Sequence, residues 1–264
     1  MILTETAALT GRRLLRLRRS PGELFAVTLT PVTMVVVMGY LLDKTIVMPG
    51  GAGYLDFMMA GIGAQVALGA FGTSAIAVAD DLRGGLVDRF RSLPIGRLPV
   101  LLAQSLCDLL LTAAGTAIAS AAGALLGWRI HTGFLAGLAG FGLLLALAFL
   151  LSWTGILAGL WFRSVPTVGS MSGLVLVVGS FASTAFVPPD GLPGWLHAIA
   201  SWSPVSTVST ACRRLWGNPV ADNGNSIAVV HAVPVALVTI AVLLAVVTTA
   251  AWRIFRSLSG EKPS

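Results

Sequence analysis

Six long apolar runs constrain this chain more than any other feature: Leu24 to Leu42, Tyr54 to Ala79, Leu98 to Gly127, Gly133 to Phe162, Val165 to Val187 and Ile227 to Trp252. Each reaches the roughly 18 residues that a helix needs to cross about 30 Å of hydrocarbon. The third and fourth are long enough to tilt or to project from the bilayer. With 56% apolar and only 11% charged residues among 264, the composition excludes a water-soluble globular domain. The expected fold is a single all-α, polytopic membrane domain over residues 1–264, with six transmembrane helices.

The basic residues orient the bundle. With a cytoplasmic N-terminus, the inner segments hold Arg12, Arg13, Arg16, Arg18, Arg19, Arg83, Arg89, Arg91, Arg97, Arg163, Arg253, Arg256 and Lys262. Outside lie Lys44, Arg129, Arg213 and Arg214, so thirteen basic residues stand against four. This positive-inside bias places the chain in the cytoplasmic membrane as a multi-pass protein with both termini inside. It also assigns the net charge of +6 to topology and contact with the lipid bilayer, with no nucleic-acid partner. The first apolar run ends at Asp43-Lys44 without a small-residue cleavage pattern, so the first helix is expected to be retained. Cys107 and Cys212 fall at different depths and are not expected to pair.

Three segments outside the spans carry patterns of their own. Residues 6–20 read as an amphipathic helix on the inner surface, with Arg12, Arg16 and Arg19 on one side and Ala7, Leu14 and Leu17 on the other. In the charged stretch from Asp80 to Arg97, Leu82, Leu86, Phe90 and Leu93 recur at helical spacing, acidic residues lead, basic ones follow and Pro94 stops the helix. Gly84 and Gly85 fall in the middle of that expected helix, at about 1 kcal/mol each relative to alanine. It either rests on the membrane or docks into a groove of another protein. The third segment, residues 188–204, begins with Pro188-Pro189-Asp190-Gly191 and continues with an apolar group, Trp195, Leu196, Ile199, Ala200 and Trp202, too short to cross. Such a segment dips into protein or lies in the interface.

Inside the spans, Asp108 is the one carboxylate well within an apolar run, and a charge there is costly. It marks either a transport path or a structural hydrogen bond between helices. Asp56 sits near the outer end of the second run. Gln65, Ser74 and Thr154 are candidates for the substrate pathway, with helix-to-helix bonding as the competing role. Small residues such as Gly155 and Gly159 read as packing positions, and Pro31, Pro166 and Pro234 as kinks. No catalytic residues and no metal ligands are expected. The sequence lacks a phosphate-binding loop, a histidine pair or a cysteine cluster, and Ser170 and Ser172 flank rather than occupy the centre of their glycine frame.

The residues Asp81, Gly84-Gly85, Asp88-Arg89, Arg91-Ser92-Leu93-Pro94-Ile95 and Arg97 resemble the cytoplasmic signature of type-2 permeases of ATP-binding-cassette exporters, especially the actinobacterial daunorubicin/doxorubicin-resistance branch. A second match lies after the fifth run, in Val187-Pro188, Leu192-Pro193-Gly194-Trp195-Leu196, Ser203-Pro204 and Arg214-Leu215. One departure is Asp81, where many relatives carry Glu. The resemblance implies a coupling helix, residues 80–94, that meets a separate cytoplasmic ATPase subunit through Asp81, Leu82, Arg83, Gly84, Gly85, Leu86, Asp88, Arg89, Phe90, Arg91, Leu93 and Pro94. It implies outer re-entrant helices between the fifth and sixth spans, with Pro188, Leu192, Pro193, Trp195, Leu196 and Trp202 at an outer gate. It also implies a second permease subunit, identical or different.

By the same resemblance, the function is export of an apolar or amphipathic small molecule, an antibiotic, drug or lipid, across the cytoplasmic membrane. ATP and magnesium would bind the partner subunit and no cofactor this chain. The alternatives are a polysaccharide or glycolipid permease and a proton-coupled secondary transporter in which Asp108 carries the proton.

Overall fold

A computed structural model describes residues 10–11, 21–42, 53–84, 97–186, 202–220 and 230–258. Among them every regular element is helical: α1 (Pro21–Leu42), α2 (Tyr54–Arg83), α3 (Arg97–Leu125), α4 (Phe134–Phe162), α5 (Val165–Phe181), α6 (Pro204–Trp216) and α7 (Ala232–Leu258). A helix occupies most of each of the six apolar runs, as their apolar length led one to expect. Four of them are long and apolar enough to cross a membrane, over Tyr54–Arg83, Leu101–Leu125, Phe134–Phe162 and Ala232–Ile254.

The fifth run is shorter than its sequence suggests. Helix α5 stops at Phe181 after 17 residues, about 26 Å at 1.5 Å per residue. Beyond it, Ser183 Oγ donates to the Ser180 carbonyl (3.0 Å), and the carbonyls of Thr184 and Ala185 are taken by a side chain from α6. Side-chain bonds thus replace the backbone ladder and end the helix. Pro166 and Pro234 lie in the first turns of α5 and α7, where a missing N–H costs nothing, so they start helices rather than kink them. Only Pro31 sits inside a helix, α1.

The helices alternate in direction around α2 and α4, which run parallel and pack most closely. A Cβ on Gly155 would overlap the Phe71 carbonyl, and one on Gly159 would lie 2.7 Å from the Ala75 oxygen. The small residues read as packing positions are therefore what lets these two backbones touch. Helix α3 runs antiparallel to α2, pairing Asp108 with Thr73 at one level and Gly123 with Met59 at another. One end of the bundle then carries the C-termini of α2 and α4 with Arg83 and Arg163, and Ala251 of α7 packs near them with Val78 and Leu160. The opposite end carries Tyr54, Trp128 and α6, whose Trp216 lies edge-on to Trp128 at 5.3 Å.

The charged stretch after the second run begins differently from its sequence pattern. Residues Asp80 to Arg83 are the last turn of α2, not the start of a separate helix, and Gly84 follows that turn with its N–H on the Asp80 carbonyl (2.9 Å). Gly84 thus ends a helix instead of weakening the middle of one, and Leu82 packs against the core beside Val78 and Leu101. Gly85, Leu86, Asp88, Arg89, Phe90, Arg91, Leu93 and Pro94 lie outside the described residues. The same holds for the N-terminal surface helix except Thr10 and Gly11. Thr10 is buried, and its carbonyl accepts from the Cys107 thiol of α3 (3.7 Å).

Candidate functional site

Three helices deliver polar side chains to one point in the apolar interior. Helix α3 presents Gln104, Ser105 and Asp108, with Gln104 and Asp108 four apart on one face. Helix α2 contributes Thr73 and Ser74, and α4 contributes Ser152. The Asp108 carboxylate is 2% exposed. Its Oδ1 accepts from Thr73 Oγ1 (2.7 Å), and its Oδ2 accepts from Ser152 Oγ (2.8 Å) and from Ser74 Oγ. Gln104 Nε2 donates to both oxygens at 3.2 Å. Ser74 and Ser152 also meet at 2.8 Å, and Ser152 lies 3.1 Å from Ser105 Oγ. All the donors are neutral, and among the described residues no cation reaches the carboxylate.

Beside the cluster opens a cavity of about 260 Å³ between α1, α2, α3 and α5. Along α2 it is lined by Ile62, Gln65, Val66, Gly69, Ala70 and Thr73, positions that recur on one helical face. Helix α3 adds Asp108, Leu111 and Thr112, α1 adds Thr30 and Pro31, and α5 adds Leu176. Thr73 and Asp108 belong to both the cluster and the cavity wall, whereas Ser74, Ser105 and Ser152 stand behind them.

Of the four pathway candidates read from the sequence, the structure joins three. Asp108 and Ser74 are directly bonded, and Gln65 lines the same cavity. Thr154 is not brought in: its hydroxyl donates to the Leu150 carbonyl of its own helix at 2.8 Å. Sequence reasoning missed Thr73, Gln104, Ser105, Ser152 and Thr112. The spacing of Gln104 and Asp108 was a usable signal, because an amide one turn before a lone intramembrane carboxylate shares its helical face and can reach it.

The opposite end holds a second buried charge. Helix α6 has 13 residues, too short to span, yet most of its side chains are buried. The outer segment read as residues 188–204 is thus followed by a packed helix that its sequence did not announce. Arg213, counted above as an outer basic residue, is 1% exposed. Its Nε donates to the Phe57 carbonyl (2.9 Å), Nη1 to Thr184 (3.0 Å) and Nη2 to Ala185 (2.6 Å), and its carbon centre lies 3.6 Å over the Phe57 ring. Burial pulls this guanidinium down to about 9, which leaves it charged at neutral pH. The neighbouring Cys212 thiol is pushed up to about 12 by burial, so it stays protonated and unreactive. Trp202 stands exposed in the turn before α6, while Pro188, Leu192, Pro193, Trp195 and Leu196 lie outside the described residues.

Residues 4–214 match the profile of a transporter family described as ABC-2 type transporter. The chain belongs to that family. Among its relatives is the daunorubicin resistance ABC transporter permease protein DrrB1 of Streptomyces coeruleorubidus, 29% identical over 210 residues that cover 77% of this chain and 72% of the relative. Another, named a probable doxorubicin resistance ABC transporter permease protein, DrrC, of Mycobacterium tuberculosis, is 27% identical over 228 residues, covering 83% of this chain and 80% of the relative. The match of this ABC-2 type permease takes in α1 to α5 and nearly all of α6, and so contains both buried charges.

Proposed function

We propose that this chain is the membrane-spanning subunit of an exporter that moves an apolar or amphipathic small molecule out across the cytoplasmic membrane. The observation that carries the reading is the family match over most of the chain, with relatives named as drug-resistance permeases. The power source is a separate ATPase subunit that binds ATP and magnesium, and its contact is the stretch from Asp81 to Pro94. The ends of α2, α4 and α7 with Arg83, Arg163 and Arg253 face that subunit, and both termini lie on the same side. A second permease subunit completes the transporter. Between nucleotide states the pair alternates between inward and outward access, with the cavity lined by Gln65 and Asp108, and Ser74 behind it, on the path and residues Pro188 to Trp202 at the outer gate.

The proton-coupled alternative keeps Asp108 but needs no ATPase. Proteoliposomes containing this chain alone under an imposed pH gradient, compared with vesicles that also hold the ATPase and ATP, separate the two. ATP-dependent movement of drug only in the second set is expected, and movement driven by the gradient alone would overturn the exporter reading. Charge reversal at Arg89 and Arg91 is expected to lower ATPase association and stimulated hydrolysis while leaving membrane insertion unchanged.

A further inference from the structure

The Asp108 cluster has spent every donor it owns. Thr73, Ser74, Ser152 and Gln104 all turn their hydrogens toward the carboxylate, the arrangement that suits its ionised form. Because the Gln104 amide faces two carboxylate oxygens, its nitrogen must point at them and its oxygen away. That oxygen, Oε1, is buried without a hydrogen-bond partner. A buried carboxylate and an unused acceptor therefore stand side by side, and among the described residues the site has no positively charged donor.

The geometry also fixes the approach. Ser74 and Ser152 close the Oδ2 side, whereas Thr73, bonded to Oδ1, lies on the cavity wall with Asp108 itself. The remaining wall is largely apolar, from Ile62, Val66, Ala70, Leu111 and Leu176. Its volume of about 260 Å³ is several times the ~30 Å³ share of one water in the liquid. Apolar walls with one anionic corner suit a molecule that is apolar over its body and carries one ammonium group.

We propose that this cavity seats a protonated amine, with Asp108 as its counter-ion on the Thr73 side, so that the cargo class is amphipathic cations rather than neutral lipids. The assignment rests on the exporter reading above and narrows it. An ammonium N–H bonds the carboxylate in a charge-assisted contact, while the body of the molecule lies along α2 between Ile62 and Ala70. A neutral compound of the same shape keeps the apolar contacts and loses the charged one.

The test is equilibrium binding to the full chain in nanodiscs of zwitterionic lipid, without nucleotide. The probes are two fluorescent dansyl alkyl compounds of equal length, one ending in a primary amine and the other in a hydroxyl. Wild type is expected to bind the amine about tenfold more tightly than the alcohol. Asp108→Asn is expected to bind both with the wild-type affinity for the alcohol, and Asp108→Glu to recover part of the preference. Equal binding by wild type, or an amine preference that survives in Asp108→Asn, overturns the assignment. Should Asp108→Asn fail to fold, Ile62→Trp, which fills the cavity from α2, decides the point: lost amine binding supports the site and retained binding overturns it. Binding is read without ATP, so absent ATP-driven transport counts against the exporter reading alone.

Discussion

Asp108 and Arg213 are both buried charges, 2% and 1% exposed, and neither finds an opposite charge among the described residues. They are held in opposite ways. Arg213 is neutralised by backbone: three carbonyls from α2 and the turn after α5, with the Phe57 ring beneath. Backbone partners cannot rotate away as side chains can. Asp108 is held by side chains from α2, α3 and α4, all able to change rotamer, and one side of it faces open space. The guanidinium is a fixed rivet at one end of the bundle, whereas the carboxylate is an adjustable centre in its middle.

The sharpest way to break that comparison is to remove the rivet. Arg213→Met fills similar volume but removes the guanidinium from the Phe57, Thr184 and Ala185 carbonyls, the last two lying beyond the end of α5. The expected cost is about 3–5 kcal/mol, read as a large fall in the thermal midpoint of the purified protein in detergent. Arg213→Lys should be nearly as harmful, because one ammonium on a flexible stem cannot serve three separated carbonyls in the plane of a fork. A stable Arg213→Met protein would mean that α6 is held by its tryptophans and not by this residue.

Next in size is overpacking between α2 and α4. Gly155→Val must push the Phe71 backbone aside and should cost about 1–3 kcal/mol or prevent folding. The same change at Gly142, where a Cβ meets nothing within 4 Å, should be close to neutral. The pair therefore separates a packing defect from a general loss of helix flexibility.

At the carboxylate the order of effects should reverse, with function changing more than stability. Asp108→Asn keeps the shape, and its thermal midpoint should fall less than that of Arg213→Met while transport falls further than in Asp56→Asn. Asp56 lies at the first turn of α2, at the bundle end where Asn218 donates to its backbone carbonyl (3.1 Å), far from the cavity. Equal transport loss in the two variants would remove the special standing of Asp108.

What the sequence revealed follows the same division. Long apolar runs announce helices because hydrophobic length is a local property, and Asp108 announces itself because charge in hydrocarbon is expensive. Ser74 and Gln65 were legible as polar residues in an apolar run, but their convergence on Asp108 and its cavity depends on how α2 and α3 cross. Arg213 was illegible for the same reason. In the chain it looks like an outer basic residue beside Arg214, and only the fold brings to it the carbonyls beyond the early end of α5 and the Phe57 carbonyl and ring of α2. The close of α2 at Gly84 was hidden because Leu82 and Leu86 share a helical spacing that runs on in the sequence past the residue that caps α2.

The smallest effect tests the rivet region through its quietest member. The Cys212 thiol donates to the Gly140 carbonyl at 3.3 Å, and burial raises its pKa from 9.0 to about 12. The unfolded chain then loses the thiol proton near its ordinary value while the folded chain keeps it. Stability contributed by this group is present below about pH 9 and declines as pH rises toward 12. Arg213 works with the opposite sign, because its folded value is lowered, so the wild-type protein alone gives a mixed answer. Cys212→Ala removes the thiol and keeps Arg213, and the difference between the two midpoints isolates the cysteine. Any advantage of wild type over Cys212→Ala should shrink as pH is raised above about 9, and maleimide should label Cys212 only after unfolding. Labelling of the folded chain would show that water reaches α6, and the sealed character of the Arg213 end would be lost with it.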